Sequence, residues 1–277
     1  MTTLTTHHDN IAFRGGGNMA SAIIGGLLKQ GTGAAQIQVL EPLEEQQSKL
    51  RSQFGVQAHA AAGAWLASMQ LVVWAVKPQT FKDAALHARF HTKNALHLSV
   101  AAGVRTDSIA RWLGTGHIVR SMPNTPALVG KGITALFARD AVTADDRLAI
   151  ENMVQTTGEY VWLHEEMQLD AVTALSGSGP AYVFYFIEAM IEAGMDMGLS
   201  REQSHKLAVG TFEGASALAK ASDETPEILR ARVTSKGGTT YTALTSMEQD
   251  RVKMLFMRAM HAARQRAREL GDEFGST

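Results

Sequence analysis

The chain has 277 residues, a net charge of −1 and no cysteine. That length carries one large domain or two ordinary ones, and so even a charge leaves no footprint for nucleic acid or anionic lipid. The missing cysteine excludes disulfides, thiolate catalysis and cysteine-ligated zinc, and fits a reducing cytoplasm.

The start, Met1 to Asn10, is polar and lacks the apolar core of a signal peptide; His7 and His8 within it read as part of a disordered tip. Residues 11–14, Ile-Ala-Phe-Arg, read as a short buried strand, and 18–30 as the helix that follows. Between them Gly15, Gly16 and Gly17 lead into Asn18, Met19 and Ala20. In a strand-loop-helix unit this spacing predicts a dinucleotide site. The first glycine permits the tight turn, the second lets the backbone reach a pyrophosphate, and Ala20 keeps the helix close to the strand. Arg14 is out of character on a strand buried on both faces, so its guanidinium must pair or escape into solvent. Escape is the simpler expectation. A cofactor phosphate is the other, because that strand end points toward the cofactor mouth.

Residues 37–41 form the second strand and 43–54 a helix. Glu41 suits the ribose hydroxyls of NAD, and Pro42 beside it brings no cation for a 2′-phosphate. The alternative is a glutamate that caps the following helix through its dipole. Both readings stay open. Residues 71–76 and 95–100 are the clearest later strands, each followed by a turn signal: Lys77-Pro78, then Ala101-Ala102-Gly103. Residues 118–121 and 133–138 are further strands. Pro123 and Pro126 between them exclude a helix and hold the chain extended. This alternation predicts an α/β fold with a parallel sheet covered on both faces.

From about Gln168 strand-like runs disappear. Residues 180–197 are apolar nearly all round, so that helix is buried on several sides, and we expect it to interlock with a second chain. Pro180 reads as its first residue. The expected organisation is an N-terminal Rossmann-type parallel-sheet domain, residues 1–165, followed by an all-helical substrate and dimerisation domain, 166–277. No apolar run approaches membrane-spanning length.

The second half carries its own glycine-rich loop, Val233-Thr234-Ser235-Lys236-Gly237-Gly238-Thr239-Thr240, just before a helical stretch. Backbone N–H groups at a helix start favour an anion, and glycine lets it approach closely. The two loops together suggest a reaction between a nicotinamide and a small carboxylate. Other chemistry finds less support. The histidines lack metal-ligand spacing, so no metal site is expected. Ser176 and Ser178 lack the strand-turn-helix context of a nucleophile elbow. Arg264, Arg266 and Arg268 read as a solvated helix face.

The residues resemble a known family. Gly15–Ala20, Ala75-Val76-Lys77-Pro78-Gln79, Ser99–Gly103, Met122–Pro126, Leu175–Tyr182 and Val233–Thr240 occur in the order found in pyrroline-5-carboxylate reductases. The resemblance implies NADPH- or NADH-dependent reduction of the cyclic imine 1-pyrroline-5-carboxylate to L-proline, in the cytoplasm and without a metal. It implies homodimers that in the family often build a decamer, with no nucleic-acid or membrane partner. It implies a carboxylate held by Ser235, Gly237, Gly238 and Thr239, and a catalytic Thr240 hydroxyl on the ring nitrogen. It also implies a nucleotide lined by Gly15, Gly17, Asn18, Met19, Ala20, Glu41, Ala75, Val76, Lys77, Pro78, Ala101, Ala102 and Gly103. The chain departs from the family's pattern at Arg14, where an aliphatic residue is usual, and at Lys236, where many members carry proline. No general acid stands out in the loop. Two other readings stay open at this stage: a methyltransferase, which would not explain the second loop, and a non-catalytic dinucleotide sensor, which would not need it.

Overall fold

The computed structural model describes residues 10–275, so His7 and His8 lie outside the described residues. The chain forms two compact units, one running to Ser178 and resuming at Ala263, the other spanning Gly179–Ala262.

The first unit is built on one eight-stranded sheet in the order β3-β2-β1-β4-β5-β6-β7-β8. Its strands are β1 (Ile11–Arg14), β2 (Ile37–Leu40), β3 (Gln57–His59), β4 (Leu71–Trp74), β5 (Leu96–Ser99), β6 (Ile118–Met122), β7 (Gly132–Ala138) and β8 (Gly158–Trp162). Alternate residues feed opposite faces, as the pleat requires. Phe13, Val39, Val73 and Leu98 join one core with Ile24 and Leu50, under α1 (Asn18–Lys29), α2 (Glu44–Phe54) and α5 (Ala144–Gln155). Ala12, Val72 and Trp74 join the other with Phe81 and Trp112, under α3 (Pro78–Ala88) and α4 (Thr106–Leu113). One buried polar group is built into that second core: the Trp74 indole N–H donates to His97 Nδ1 at 3.1 Å, and His97 Nε2 lies 3.1 Å from the Thr92 carbonyl. These two partners fix the tautomer with hydrogen on Nε2. Burial pushes the imidazole down to about 4, against the opposing pull of the Thr92 carbonyl.

Two expectations need correction. The sheet is mixed rather than parallel, because β6 and β7 pair antiparallel, Val119 opposite Ala138 and Met122 opposite Ala135. Residues 123–131 are too few for the crossover a parallel partner needs. Within that connection the prolines do not hold the chain extended: Thr125–Val129 is a 3-10 turn with Pro126 in its first positions, where a missing N–H costs nothing. Pro180 stands second in the helix that begins at Gly179, within one residue of the expectation. α6 (Gln168–Val172) runs into a π-helical turn, Thr173–Gly177, and then α7 (Gly179–Asp196).

The π turn has a readable cause. Proline at 180 cannot donate to the Ser176 carbonyl, its partner in a regular helix. That carbonyl instead accepts from the Asn124 side-chain amide at 3.1 Å, while Ser178 N–H reaches back to Thr173 O at 2.8 Å. Asn124 Oδ1 meanwhile accepts from Ile133 N at 3.0 Å, so one buried amide ties the π turn to β7.

The second unit is helical: α7, α8 (Arg201–Ala221), α9 (Pro226–Arg232), α10 (Thr239–Gln249) and the start of α11 (Val252–Gly275). Tyr182 and Phe186 of α7 set their rings against Phe256 of α11 at 5.5 and 5.6 Å between centroids. Phe184 and Tyr185 remain 61% and 69% exposed, as do Met197 of the loop after α7 and Leu207 and Leu218 of α8 in large part. So wide an apolar surface is unusual on a chain that works alone. Among the described residues, no helix is long and apolar enough to cross a membrane.

Candidate dinucleotide and anion sites

The first candidate site lies at the carboxyl ends of β1 and β4, where the strand order reverses direction, the place at which open α/β sheets take ligands. Gly15 has φ +94°, and a Cβ there would run into the Ala75 carbonyl, so the turn out of β1 requires glycine. Gly17 is the N-terminal boundary residue of α1 and is exposed; a Cβ on it would meet nothing within 4 Å. No side chain caps that helix start. The N–H groups of Asn18, Met19 and Ala20 therefore face an open approach, the arrangement a pyrophosphate needs. Ala20 is fully buried against the sheet, which is why a larger residue would push the helix away.

Ala75 and Val76 follow β4 directly. Lys77 is exposed and bounds α3, with Pro78 as the first residue of that helix. Ala101 and Gly103 are buried and Ala102 is partly so. Gly103 has φ +77°, and a Cβ there would lie 3.2 Å from Phe274 and 3.3 Å from Leu270. The end of α11 thus packs directly on this loop, with Arg105 reaching Asp272 at 3.5 Å and Arg111 the Gly275 carbonyl at 2.9 Å. No sequence motif announces that contact; it depends on where α11 ends.

Glu41 stands just past β2 and is only 8% exposed. Its Oε2 accepts from Gly16 N at 2.9 Å and its Oε1 from Leu43 N at 3.0 Å. The carboxylate thereby props the glycine loop and the start of α2 at once, a role that neither sequence expectation described in full. Arg14 meets the expectation only in part, because one of its three guanidinium nitrogens is sealed inside the protein. The residue is half-buried; Nη1 reaches the Leu40 carbonyl at 3.4 Å, and Nε is buried with no partner among the described residues. Burial lowers its pKa from the usual guanidinium value, and the nearby Glu41 charge pulls the other way.

The second candidate site is the loop before α10. Gly237 has φ +76°, and Gly238 is the boundary residue of α10, again with no capping side chain. Gly238 N donates to the Ser235 carbonyl at 3.0 Å, closing the turn. Thr239 and Thr240 occupy the first two helical positions and are exposed, so their amides and hydroxyls stand at an open helix start. Lys236 is exposed beside them. The predicted Ser235–Thr240 residues are therefore gathered in one turn.

Sequence reasoning passed over a third cluster. Glu166 accepts from Thr106 N at 2.7 Å, Thr106 Oγ1 at 2.6 Å and the buried Arg120 at 2.9 Å. Its donors come from two separated segments, and nothing in their local spacing signals the meeting. Among the described residues, no group of three potential metal ligands comes together.

Comparison with known proteins agrees with this architecture. Residues 166–270 match the family model described as pyrroline-5-carboxylate reductase dimerisation, and residues 10–103 the one described as NADP oxidoreductase, coenzyme F420-dependent. The chain is 41% identical to pyrroline-5-carboxylate reductase of Pseudomonas aeruginosa, over 96% of its own length and 98% of the relative's. A solved pyrroline-5-carboxylate reductase from Coxiella burnetii superposes with a TM-score of 0.88 at 37% identity, covering 94% of this chain and 98% of that one. The Plasmodium falciparum enzyme, solved with NADP bound, superposes with a TM-score of 0.86 at 28% identity, covering 96% and 99%. With a glycine loop at the strand ends, an uncapped helix start in the second unit and similarity of this extent, the chain belongs to the pyrroline-5-carboxylate reductase family.

Proposed function

We propose that the protein reduces 1-pyrroline-5-carboxylate to L-proline with NADPH or NADH, as a homodimer in the cytoplasm and with the residues named above as its site. The observation that carries this reading is the uncapped start of α10, where glycine at 237 and 238 leaves the first amides open to a small carboxylate. When bound, the reduced nicotinamide supplies a hydride to the imine carbon. The uncapped N–H of Thr239, beside the turn that Gly238 N–H closes onto Ser235, faces the substrate carboxylate, and Thr240 offers its hydroxyl to the ring nitrogen. An imine already protonated on nitrogen is a strong electrophile, so orientation is the main demand on the protein. Gly15 and Gly17 with the start of α1 take the pyrophosphate, and segments 75–78 and 101–103 line the nucleotide. The exposed apolar face of α7 and α8 supports the dimer, and five such dimers would make the decamer that the family often builds.

The test is spectrophotometric. Purified protein should consume NADPH or NADH only after pyrroline-5-carboxylate is added, and L-proline should accumulate in equal amount. Consumption of neither dinucleotide between mildly acidic and mildly basic pH would overturn the proposal.

A further inference from the structure

Arg14 poses a physical problem that the fold alone does not solve. A guanidinium has five N–H donors and no way to shed its charge at neutral pH. Here it is half-buried, its Nε is sealed from water without a partner, and its one hydrogen bond among the described residues is a long one to a backbone carbonyl. Glu41 acts on it only as a nearby charge and gives it no hydrogen bond: its carboxylate oxygens accept the backbone N–H groups of Gly16 and Leu43. The terminal nitrogens of Arg14 are not sealed, so an anion arriving at the strand ends can pair with a guanidinium that the described residues bond only once.

Its position identifies the anion. Arg14 is the last residue of β1 and pairs with Leu40 at the end of β2. Its head leans toward the Leu40 carbonyl, directly before Glu41, and not toward β4. In sheets of this kind the end of β2 is where the adenosine ribose of a dinucleotide lies, and an arginine nearby is the means of accepting a 2′-phosphate. Arginine suits that group because its fork makes two parallel charge-assisted hydrogen bonds. Glu41 alone would repel a 2′-phosphate; a cation at the same strand ends offsets that repulsion.

Resting on the reading of this chain as a nicotinamide-dependent enzyme, we infer that Arg14 is a specificity-determining residue that binds the adenosine 2′-phosphate and so admits NADPH to a site whose acid would otherwise favour NADH. The determinant thus comes from β1, before the glycine loop, and not from the segment after β2, where Pro42 and Leu43 offer no cation.

Binding of adenosine fragments tests this without any turnover. By titration calorimetry, the full chain should bind 2′,5′-ADP more tightly than 5′-AMP, which lacks only the 2′-phosphate. Arg14→Ile should weaken 2′,5′-ADP by roughly tenfold, one lost bidentate pair, and leave 5′-AMP within about twofold. Arg14→Gln keeps length and polarity and serves if the isoleucine variant does not fold; it should show the same selective loss. A parent indifferent to the 2′-phosphate, or variants that lose both fragments equally or neither, would overturn the inference. Pyrroline-5-carboxylate reduction is read separately: selective fragment binding without reduction would leave the role of Arg14 standing and remove the proposed reaction.

Discussion

Thr240 and His97 show how differently single side chains contribute. Thr240 sits in the first turn of α10 with its hydroxyl exposed, so removing it leaves the fold alone and takes away the proposed contact to the imine nitrogen. Thr240→Ala should lower kcat/KM by about 1–3 kcal/mol with an unchanged melting temperature. Parent-like kinetics would show that another group positions the ring. His97 contributes to stability instead. Its folded-state pKa of about 4 lies below the ordinary 6.5, so protonation favours the unfolded chain. Its contribution is complete above pH 6.5 and is lost as pH falls from there toward 4, about 3 kcal/mol over that window. Denaturant midpoints measured across it should fall with acid, and His97→Gln should flatten the slope. The Asp146 carboxyl works in a lower window. Burial would raise it, but hydrogen bonds from His117 and Thr143 outweigh that and hold it near 2, so its stabilisation is complete above the ordinary 3.8 and is lost as pH falls from there toward 2.

Elements explain why some residues matter far from the chemistry. The end of α11 presses Leu270 and Phe274 onto Gly103, and Arg105 and Arg111 fasten the same helix to α4 and its approach. Phe274→Ala should loosen the 101–103 loop and raise the dinucleotide KM, roughly tenfold, while leaving pyrroline-5-carboxylate KM nearly unchanged. Equal effects on both constants would mean the helix end supports the whole unit and not the loop. This brace was invisible in the sequence, because its two sides lie far apart along the chain. What could be read were signals carried by neighbours: Gly15 and Gly17 at a strand end, short apolar runs, and two adjacent glycines before a helix. Strands β3 and β8 escaped because Gln57–His59 is only three residues long and Gly158–Trp162 alternates at a half-covered edge. The π turn escaped because its cause, Asn124 taking the carbonyl that Pro180 releases, joins residues from two motifs. Glu41 was placed correctly at a strand end, but its partners on the glycine loop depend on the folded approach of β2 to β1.

At the scale of the whole molecule, the helical unit leaves large side chains uncovered on α7 and α8, and residues 166–270 match a dimerisation family. Light scattering at micromolar concentration should give at least twice the chain mass, and dilution should lower thermal stability as the partner is lost. A stable folded monomer would contradict the proposed assembly. The proposed reaction is one transfer: hydride from the nicotinamide to the imine carbon of the pyrroline ring. Reduction with NADPH or NADH carrying deuterium on both C4 positions, followed by mass spectrometry and NMR of the product, follows that atom directly. The expected product is L-proline with one deuterium on the ring carbon next to nitrogen and distant from the carboxylate. Proline without the label, or no proline while the dinucleotide is oxidised, would contradict it.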